Sequence, residues 1–257
     1  MAQTFLSIII PAYNEAKRLP LTLVDIDKHL SAAPYSYEIL VMNDGSTDNT
    51  AEVVEKMKGM IKNLKLVDNK ENQGKGGVVR QGMLVAKGAI RLFTDADNST
   101  SIDHFERMIP YFKEGYEVVI GSRAVKGREL DPPQPWYRQI PGKAGNLVIQ
   151  ALLLPGIWDT QCGFKALAAE SAERIFNQTK ITGWGFDVEM LALAKRMGYR
   201  IKEVPVHWKN DPFSHLRASA YLKTLIETLK IRLWLWAGKY RLEAPNPALP
   251  KSREGMF

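Results

Sequence analysis

The chain has 257 residues, 45% of them apolar and 25% charged, with a formal net charge of +7. This composition is typical of a globular protein with one large or two small domains. Its single cysteine, Cys162, excludes an internal disulfide, and no apolar run approaches the roughly 20 residues of a membrane span. The basic excess favours an anionic partner, such as a nucleotide, a phosphorylated lipid, an anionic membrane or a nucleic acid.

The first half of the chain alternates short β-rich runs with helical patterns, and its first residues predict a strand rather than a signal peptide. Strands are predicted at 5–10, 37–42, 64–68, 89–95 and 117–122, and helices at 15–31, 46–60, 74–87 and 102–113. Such alternation is typical of βαβ units, so we predict an α/β fold with a mainly parallel sheet flanked by helices.

The second half opens with a proline-rich, charged segment at 124–142, which predicts a long loop that covers or lines a site. Further helices are predicted at 143–154, 187–197 and 218–238, and strands at 163–168 and 201–208. The last of these helices is amphipathic, so it either lies in a membrane interface or packs on the domain. The tail at 243–257 has three prolines and no periodicity, which predicts disorder.

Polar segments follow five predicted strands at the point where each strand ends. They are PAYNE (11–15), NDGSTD (43–48), NQGKGG (72–77), DADNST (95–100) and GSR (121–123). Ligands of open parallel sheets bind beyond the carboxyl ends of the strands, so we expect these segments to line one site. Any one of them alone is equally well explained as an ordinary polar turn.

Asp95 and Asp97 are two residues apart in an extended segment, so their side chains can point the same way. Mg²⁺ and Mn²⁺ take oxygen ligands and often bridge one or two carboxylates to diphosphate oxygens. We therefore predict that one carboxylate bonds a sugar or ribose hydroxyl while the other reaches a cation, which also meets the diphosphate of a nucleotide donor. The alternative is a capping pair for the following helix, although Asp103 and neighbouring hydroxyls could cap it instead.

These segments occur in order with DTQCGFK (159–165), GWGFDVEML (183–191) and EVPVHW (203–208). Together they resemble family-two glycosyltransferases of the GT-A fold, most of all dolichyl-phosphate β-glucosyltransferases, with dolichol-phosphate mannose synthases close to them. DTQCGFK followed by FDVE is the most specific part and favours the glucosyl branch. The resemblance implies a GT-A domain over 1–242, with a nucleotide-binding half at 1–123 and an acceptor half at 124–242.

The resemblance also implies roles for individual residues. Those that would bind the nucleotide sugar are Pro11, Tyr13, Glu15, Asn43, Asp44, Lys75, Arg80 and Asp95. Asp97, with Asp95, would hold Mg²⁺ or Mn²⁺. Arg123, Arg138 and Asp187 would be catalytic, and the acceptor phosphate would contact Arg123, Arg138, His215 or Arg217. Asn43 stands where relatives have aspartate, and His215 stands where they have lysine, so the base and the acceptor contact stay open.

The implied reaction is an inverting transfer of glucose from UDP-glucose to a polyprenyl (dolichyl-type) phosphate, at the cytoplasmic face of a membrane. A lipid monophosphate is already an anionic nucleophile, so positioning and charge stabilisation would outweigh base catalysis. Alternatives are GDP-mannose as donor, a non-lipid acceptor or an inactive nucleotide-binding scaffold. A nucleic-acid-binding domain would need an arginine–aromatic platform, which the sequence lacks. A membrane-anchored subunit and a homo-oligomer remain open as protein partners.

Overall fold

The computed structural model describes residues 4–131, 136–209 and 218–242. Its strands β1 to β9 are Leu6–Ala12, Tyr37–Asp44, Leu64–Asn69, Ile90–Thr94, Val118–Ser122, Glu129–Asp131, Phe164–Ala168, Ile201–Pro205 and His207–Lys209. Its helices α1 to α8 are Leu19–Leu30, Thr50–Met57, Lys75–Val85, Ile109–Lys113, Trp136–Leu152, Ala169–Phe176, Phe186–Arg196 and Ala218–Trp236. A 3₁₀ turn spans Ile102–Phe105.

Seven strands form one sheet in the order β3-β2-β1-β4-β7-β5-β8. Every neighbouring pair in it is parallel except those made by β7, which runs antiparallel to both β4 and β5. Strands β6 and β9 form a separate two-stranded sheet. The predicted mixed, mainly parallel sheet is confirmed. The predicted division of the domain into halves at residue 123 stays a prediction. The strand β7 belongs to the second of these halves but lies between β4 and β5, which belong to the first half.

The sheet has a hydrophobic layer on each face, which explains why β1 is apolar along nearly its whole length. Ile8 and Ile10 pack into one layer with α1 and α2, whereas Ile9 packs into the other with α3, α6 and α7. All three isoleucines are completely buried. Successive side chains of a strand point to opposite faces, so a strand between two layers is apolar at most positions, and the buried exception, Ser7, donates a hydrogen bond to Glu38.

Three predicted segments were wrong, and one helix was missed. The loop predicted at 124–142 contains β6 and the start of α5, and α6 was missed because its amphipathic pattern lasts only eight residues. The helix predicted at 102–113 divides into the 3₁₀ turn and α4, which has Pro110 in its first turn, where a missing N–H costs nothing. The strand predicted at 201–208 divides into β8 and β9. The tail at 243–257 lies outside the described residues.

Candidate active site

The carboxyl ends of β1, β2, β4 and β5 meet at one edge of the sheet, and β7 begins there because it runs the other way. Thr94, the last residue of β4, pairs with Phe164, the first of β7. This register places Asp95 against Gly163. A Cβ atom on Gly163 would overlap the carboxylate oxygens of Asp95, so the position leaves room for that carboxylate only because it is glycine.

Two lysine–aspartate pairs lie at this edge. The Lys75 Nζ atom, in the first turn of α3, lies 2.6 Å from Oδ1 of Asp95. The Lys165 Nζ atom lies 2.5 Å from Oδ1 of Asp187, and both of these side chains are buried. Burial disfavours the charged form of Lys75, but the charges of Asp95 and Asp187 outweigh it and raise the pKa of the ammonium. Burial raises the pKa of the Asp187 carboxyl, and Lys165 and Lys75 partly offset that increase.

Asp97 has a pKa above its ordinary value, because burial and the nearby charge of Asp95 both disfavour its ionised form. Its Oδ1 atom accepts the backbone N–H of Ser99 at 3.0 Å, which compensates only in part. Two neighbouring carboxylates that repel each other suit a divalent cation, which would stabilise both ionised forms. No cluster of three histidine, cysteine, aspartate or glutamate side chains occurs among the described residues. A Mg²⁺ ion shared with diphosphate needs only one or two carboxylates, so the pair fits.

Asn43 and Asp44, at the end of β2, are both buried. Asn43 donates to Asp68 at 2.6 Å, and Asp44 accepts the backbone N–H of Gln73 at 2.6 Å. Burial raises the pKa of Asp44 despite that hydrogen bond. The contact between Asp44 and Gln73 fixes the segment NQGKGG against the end of β2, so two of the predicted nucleotide-binding segments are brought together.

The remaining predicted donor residues lie on or near β1 and α3. Pro11 is half-buried in β1, and Tyr13 is exposed. Glu15 makes two contacts with Arg18, at 2.5 and 2.7 Å. Arg80 is directed towards α6, where its Nε donates to the carbonyl of Phe176. The contact that the structure gives Arg80 is therefore with α6, and its predicted role at the nucleotide stays a prediction.

The predicted acceptor side is described only in part. Arg123 forms two hydrogen bonds from its guanidinium to Asp159, at 2.8 and 3.0 Å, and lies over the Trp208 ring. Burial disfavours its charge, but Asp159 raises the pKa of Arg123 above its ordinary value. The Arg138 side chain, His215 and Arg217 lie outside the described residues. The roles assigned to all four residues stay predictions.

Sequence reasoning missed the partners that hold these side chains in place: Asp159, Gly163, Lys165 and Glu227. The first three lie within DTQCGFK, which belongs to the most specific part of the family resemblance. Their place in that segment was the signal that could have identified them. Trp184, which lies between two glycines, has its ring centroid 4.9 Å from Lys75 Nζ.

The model of the family described as Glycosyl transferase family 2 matches residues 7–176. The chain belongs to this family. Its sequence is 40% identical over 228 residues to "Dolichyl-phosphate beta-glucosyltransferase" of Dictyostelium discoideum, covering 82% of this chain and 70% of the relative. The family predicted from the sequence is confirmed.

Two solved structures resemble this family-2 glycosyltransferase in fold. Mannosyl-3-phosphoglycerate synthase from Rubrobacter xylanophilus has a TM-score of 0.69 and 17% identity, covering 98% of this chain and 80% of its own. Glucosyl-3-phosphoglycerate synthase from Mycobacterium tuberculosis, crystallised with Mn²⁺, UDP and glucosyl-3-phosphoglycerate, has a TM-score of 0.64 and 20% identity, covering 96% and 82%. The predicted GT-A fold is confirmed.

Proposed function

We propose that this glycosyltransferase transfers glucose from UDP-glucose to a polyprenyl phosphate of the dolichyl type, with inversion at the anomeric carbon. The observation that carries the proposal is the arrangement of Asp95, Asp97 and Lys75 at the carboxyl edge of the sheet. The name of the Dictyostelium relative supports the sugar and the acceptor class. The Mn²⁺ and UDP in the solved structure of similar fold support the metal and the nucleotide.

On the donor side, the residues present would bind the nucleotide and its diphosphate. A divalent cation held by Asp95 and Asp97 would neutralise charge on the departing diphosphate. Lys75 forms an ion pair with the Asp95 carboxylate, and Asp44 and Asn43 would offer a carboxylate and an amide to the nucleoside. These groups are already held by hydrogen bonds within the protein, so little reorganisation would accompany donor binding.

On the acceptor side, a phosphate monoester needs no strong base, since it is already anionic near neutral pH. Asp187 is not expected to act as a strong base, because its Oδ1 atom accepts a hydrogen bond from the buried Lys165 ammonium. We therefore assign it the orientation of sugar or acceptor rather than proton abstraction. Arg123, held by Asp159 and Trp208, would face the phosphate as a preorganised cation.

We further propose that α8 binds the cytoplasmic surface of a membrane, where the phosphate of a polyprenyl lipid would be presented. Its exposed apolar residues are Leu222, Ile226, Leu229, Leu233 and Trp236. Exposed basic residues flank this face, namely Lys223, Lys230 and Arg232. An apolar face with basic flanks complements an anionic lipid surface. No helix among the described residues has the length and hydropathy that spanning a bilayer requires.

A donor panel tests the proposal. Purified protein is given polyprenyl phosphate, Mn²⁺ or Mg²⁺ and either UDP-glucose or GDP-mannose, and the released UDP or GDP and the product anomer are measured. We expect UDP release with an inverted anomer. Asp97→Ala should lower the rate by about 1,000-fold, because the charge on the leaving group is no longer neutralised.

Glu55→Ala is the control, since it removes an exposed carboxylate that pairs with Lys58. Faster turnover of GDP-mannose than of UDP-glucose would show that GDP-mannose is the donor. A product that retains the anomeric configuration of the donor would exclude inversion. Wild-type turnover by the Asp97→Ala enzyme would contradict the assignment of Asp97 as a metal ligand. If the wild type released no nucleotide from either donor, the inactive scaffold would be favoured.

A further inference from the structure

A carboxylate on α8 contacts the turn that precedes α7. Oε2 of Glu227 accepts the backbone N–H of Gly185 at 2.7 Å. A Cβ atom on Gly183 would overlap the same carboxylate, so the group lies directly against the turn. The Gly183-Trp184-Gly185 turn is therefore shaped to receive Glu227, which explains the two glycines on either side of the tryptophan.

The other side of this turn contacts the donor site. The Trp184 ring lies 4.9 Å from Nζ of Lys75, and that atom lies 2.6 Å from Oδ1 of Asp95. The backbone of the same segment contacts the first turn of α3, where the N–H of Gly76 donates to the carbonyl of Thr182 at 2.8 Å. Glu227 and the start of α3 thus hold the turn between them.

We propose that Glu227 is a positioning residue for the donor site, acting through Trp184 and Lys75 on the Asp95 carboxylate. Without it, the Gly185 N–H loses its charged acceptor, and the turn that carries Trp184 loses its attachment to α8. The inference rests on the proposed function, because Asp95 matters to a donor only if the diphosphate binds there. The same contact would couple the position of α8, which carries the exposed apolar face, to the geometry of the donor site.

Glu227→Ala and Gly183→Ala provide two independent tests. The first removes the carboxylate, and the second adds a methyl group that displaces it while leaving its charge in place. We expect each variant to raise the KM for UDP-glucose about tenfold in detergent solution, with a smaller effect on kcat. The KM of the double variant should be no higher than that of either single variant, because alanine at 227 removes the atoms that the methyl group would overlap.

Three further measurements separate positioning from general stability. Glu227→Gln, whose amide oxygen can still accept the Gly185 N–H, should keep the KM within about threefold of wild type. The emission of Trp184, taken as the difference from a Trp184→Phe protein, should change in Glu227→Ala and be restored in Glu227→Gln. Glu52→Ala, which removes an exposed carboxylate paired with Lys56, should leave KM and emission unchanged.

The outcomes distinguish this inference from the proposed function. If the wild type transfers glucose while folded Glu227→Ala and Gly183→Ala keep its KM and its Trp184 emission, the positioning role is excluded and the function stands. If the wild type transfers no glucose, the function fails, and affinity for UDP with Mn²⁺ replaces KM as the readout. If Glu227→Ala does not fold, Gly183→Ala and Glu227→Gln decide by the same measurements.

Discussion

Gly163 lies beside Asp95 because β7 is antiparallel to β4 and begins opposite its end. Its φ is outside the left-handed region, so alanine suits the backbone but its methyl group would overlap the Asp95 carboxylate. We expect Gly163→Ala to move that carboxylate away from Lys75 and lower kcat/KM for UDP-glucose about 100-fold. Steady-state kinetics and urea unfolding measure the two effects separately.

The matched control is Gly145→Ala in α5, where a Cβ atom meets no group of the described residues within 4 Å. It should leave kcat/KM for UDP-glucose unchanged. A Gly163→Ala enzyme with donor kinetics within twofold of wild type would show that the register of β7 does not fix Asp95.

For individual residues, the sequence predicted contacts between near neighbours in the chain better than contacts between residues far apart in it. Asp95 and Asp97 could be paired because their spacing follows the period of a strand. Lys165 and Asp187 are 22 residues apart, and Arg123 and Asp159 are 36 apart, so each pair depends on how β7 enters the sheet. Nothing in the local sequence predicted an antiparallel strand at that place, so the segment DTQCGFK could be singled out but its residues could not be paired with Arg123 and Asp187.

Among the elements, those with a clear local pattern were predicted, whereas α6 was not. The strand β1 was found from its continuous apolar run, and the helix α8 from helical spacing that continues over 19 residues. The helix α6 covers the sheet although it has only eight residues and begins after an alanine with no capping side chain. Its position follows from tertiary packing, which a local pattern does not contain.

The exposed face of α8 leads to a prediction for the whole helix. Leu229 is 52% exposed, so moving it into a lipid interface should contribute about half of the roughly 1.5–3 kcal/mol for full burial of such a side chain. We expect Leu229→Glu to weaken binding to anionic phospholipid vesicles about tenfold or more. Sedimentation with vesicles measures binding, and turnover of a short detergent-solubilised acceptor shows that the site is intact.

Leu21→Glu on α1 is the control, since Leu21 is 77% exposed on a different helix. It should leave vesicle binding unchanged. Equal vesicle binding by wild type and Leu229→Glu would exclude α8 as the membrane-binding surface. The apolar face would then have to be explained by another partner.

In the whole molecule, the buried carboxylates divide into two groups with opposite pKa shifts. Burial raises the pKa of Asp44 and Asp187, whose partners compensate only in part. Burial would also raise the pKa of Asp159, but the charge and hydrogen bonds of Arg123 outweigh it and hold the pKa below its ordinary value. Acid unfolding therefore reflects a sum of opposing contributions, and the effect of one pair has to be isolated with a variant.

Asp159→Asn isolates that contribution. Because the folded protein holds Asp159 ionised more strongly than the unfolded chain does, the unfolded chain binds more protons between the two pKa values. The stability that Asp159 contributes is complete above the ordinary aspartate pKa of about 4 and is lost as pH falls through the lowered folded-state pKa. At pH 7 the variant leaves the Arg123 charge largely buried and without the opposite charge of Asp159, which should cost about 3–5 kcal/mol.

Urea unfolding of wild type and Asp159→Asn from pH 7 to pH 3 tests this expectation. The difference between their free energies of unfolding should be constant down to about pH 4 and shrink below it. Asp131→Asn, at an exposed position in β6, should stay within about 0.5 kcal/mol of wild type throughout. A difference that stays constant or grows as the pH falls would mean that Arg123 does not stabilise the ionised form of Asp159. Arg123 would then not be the fixed cation that the proposed acceptor site requires.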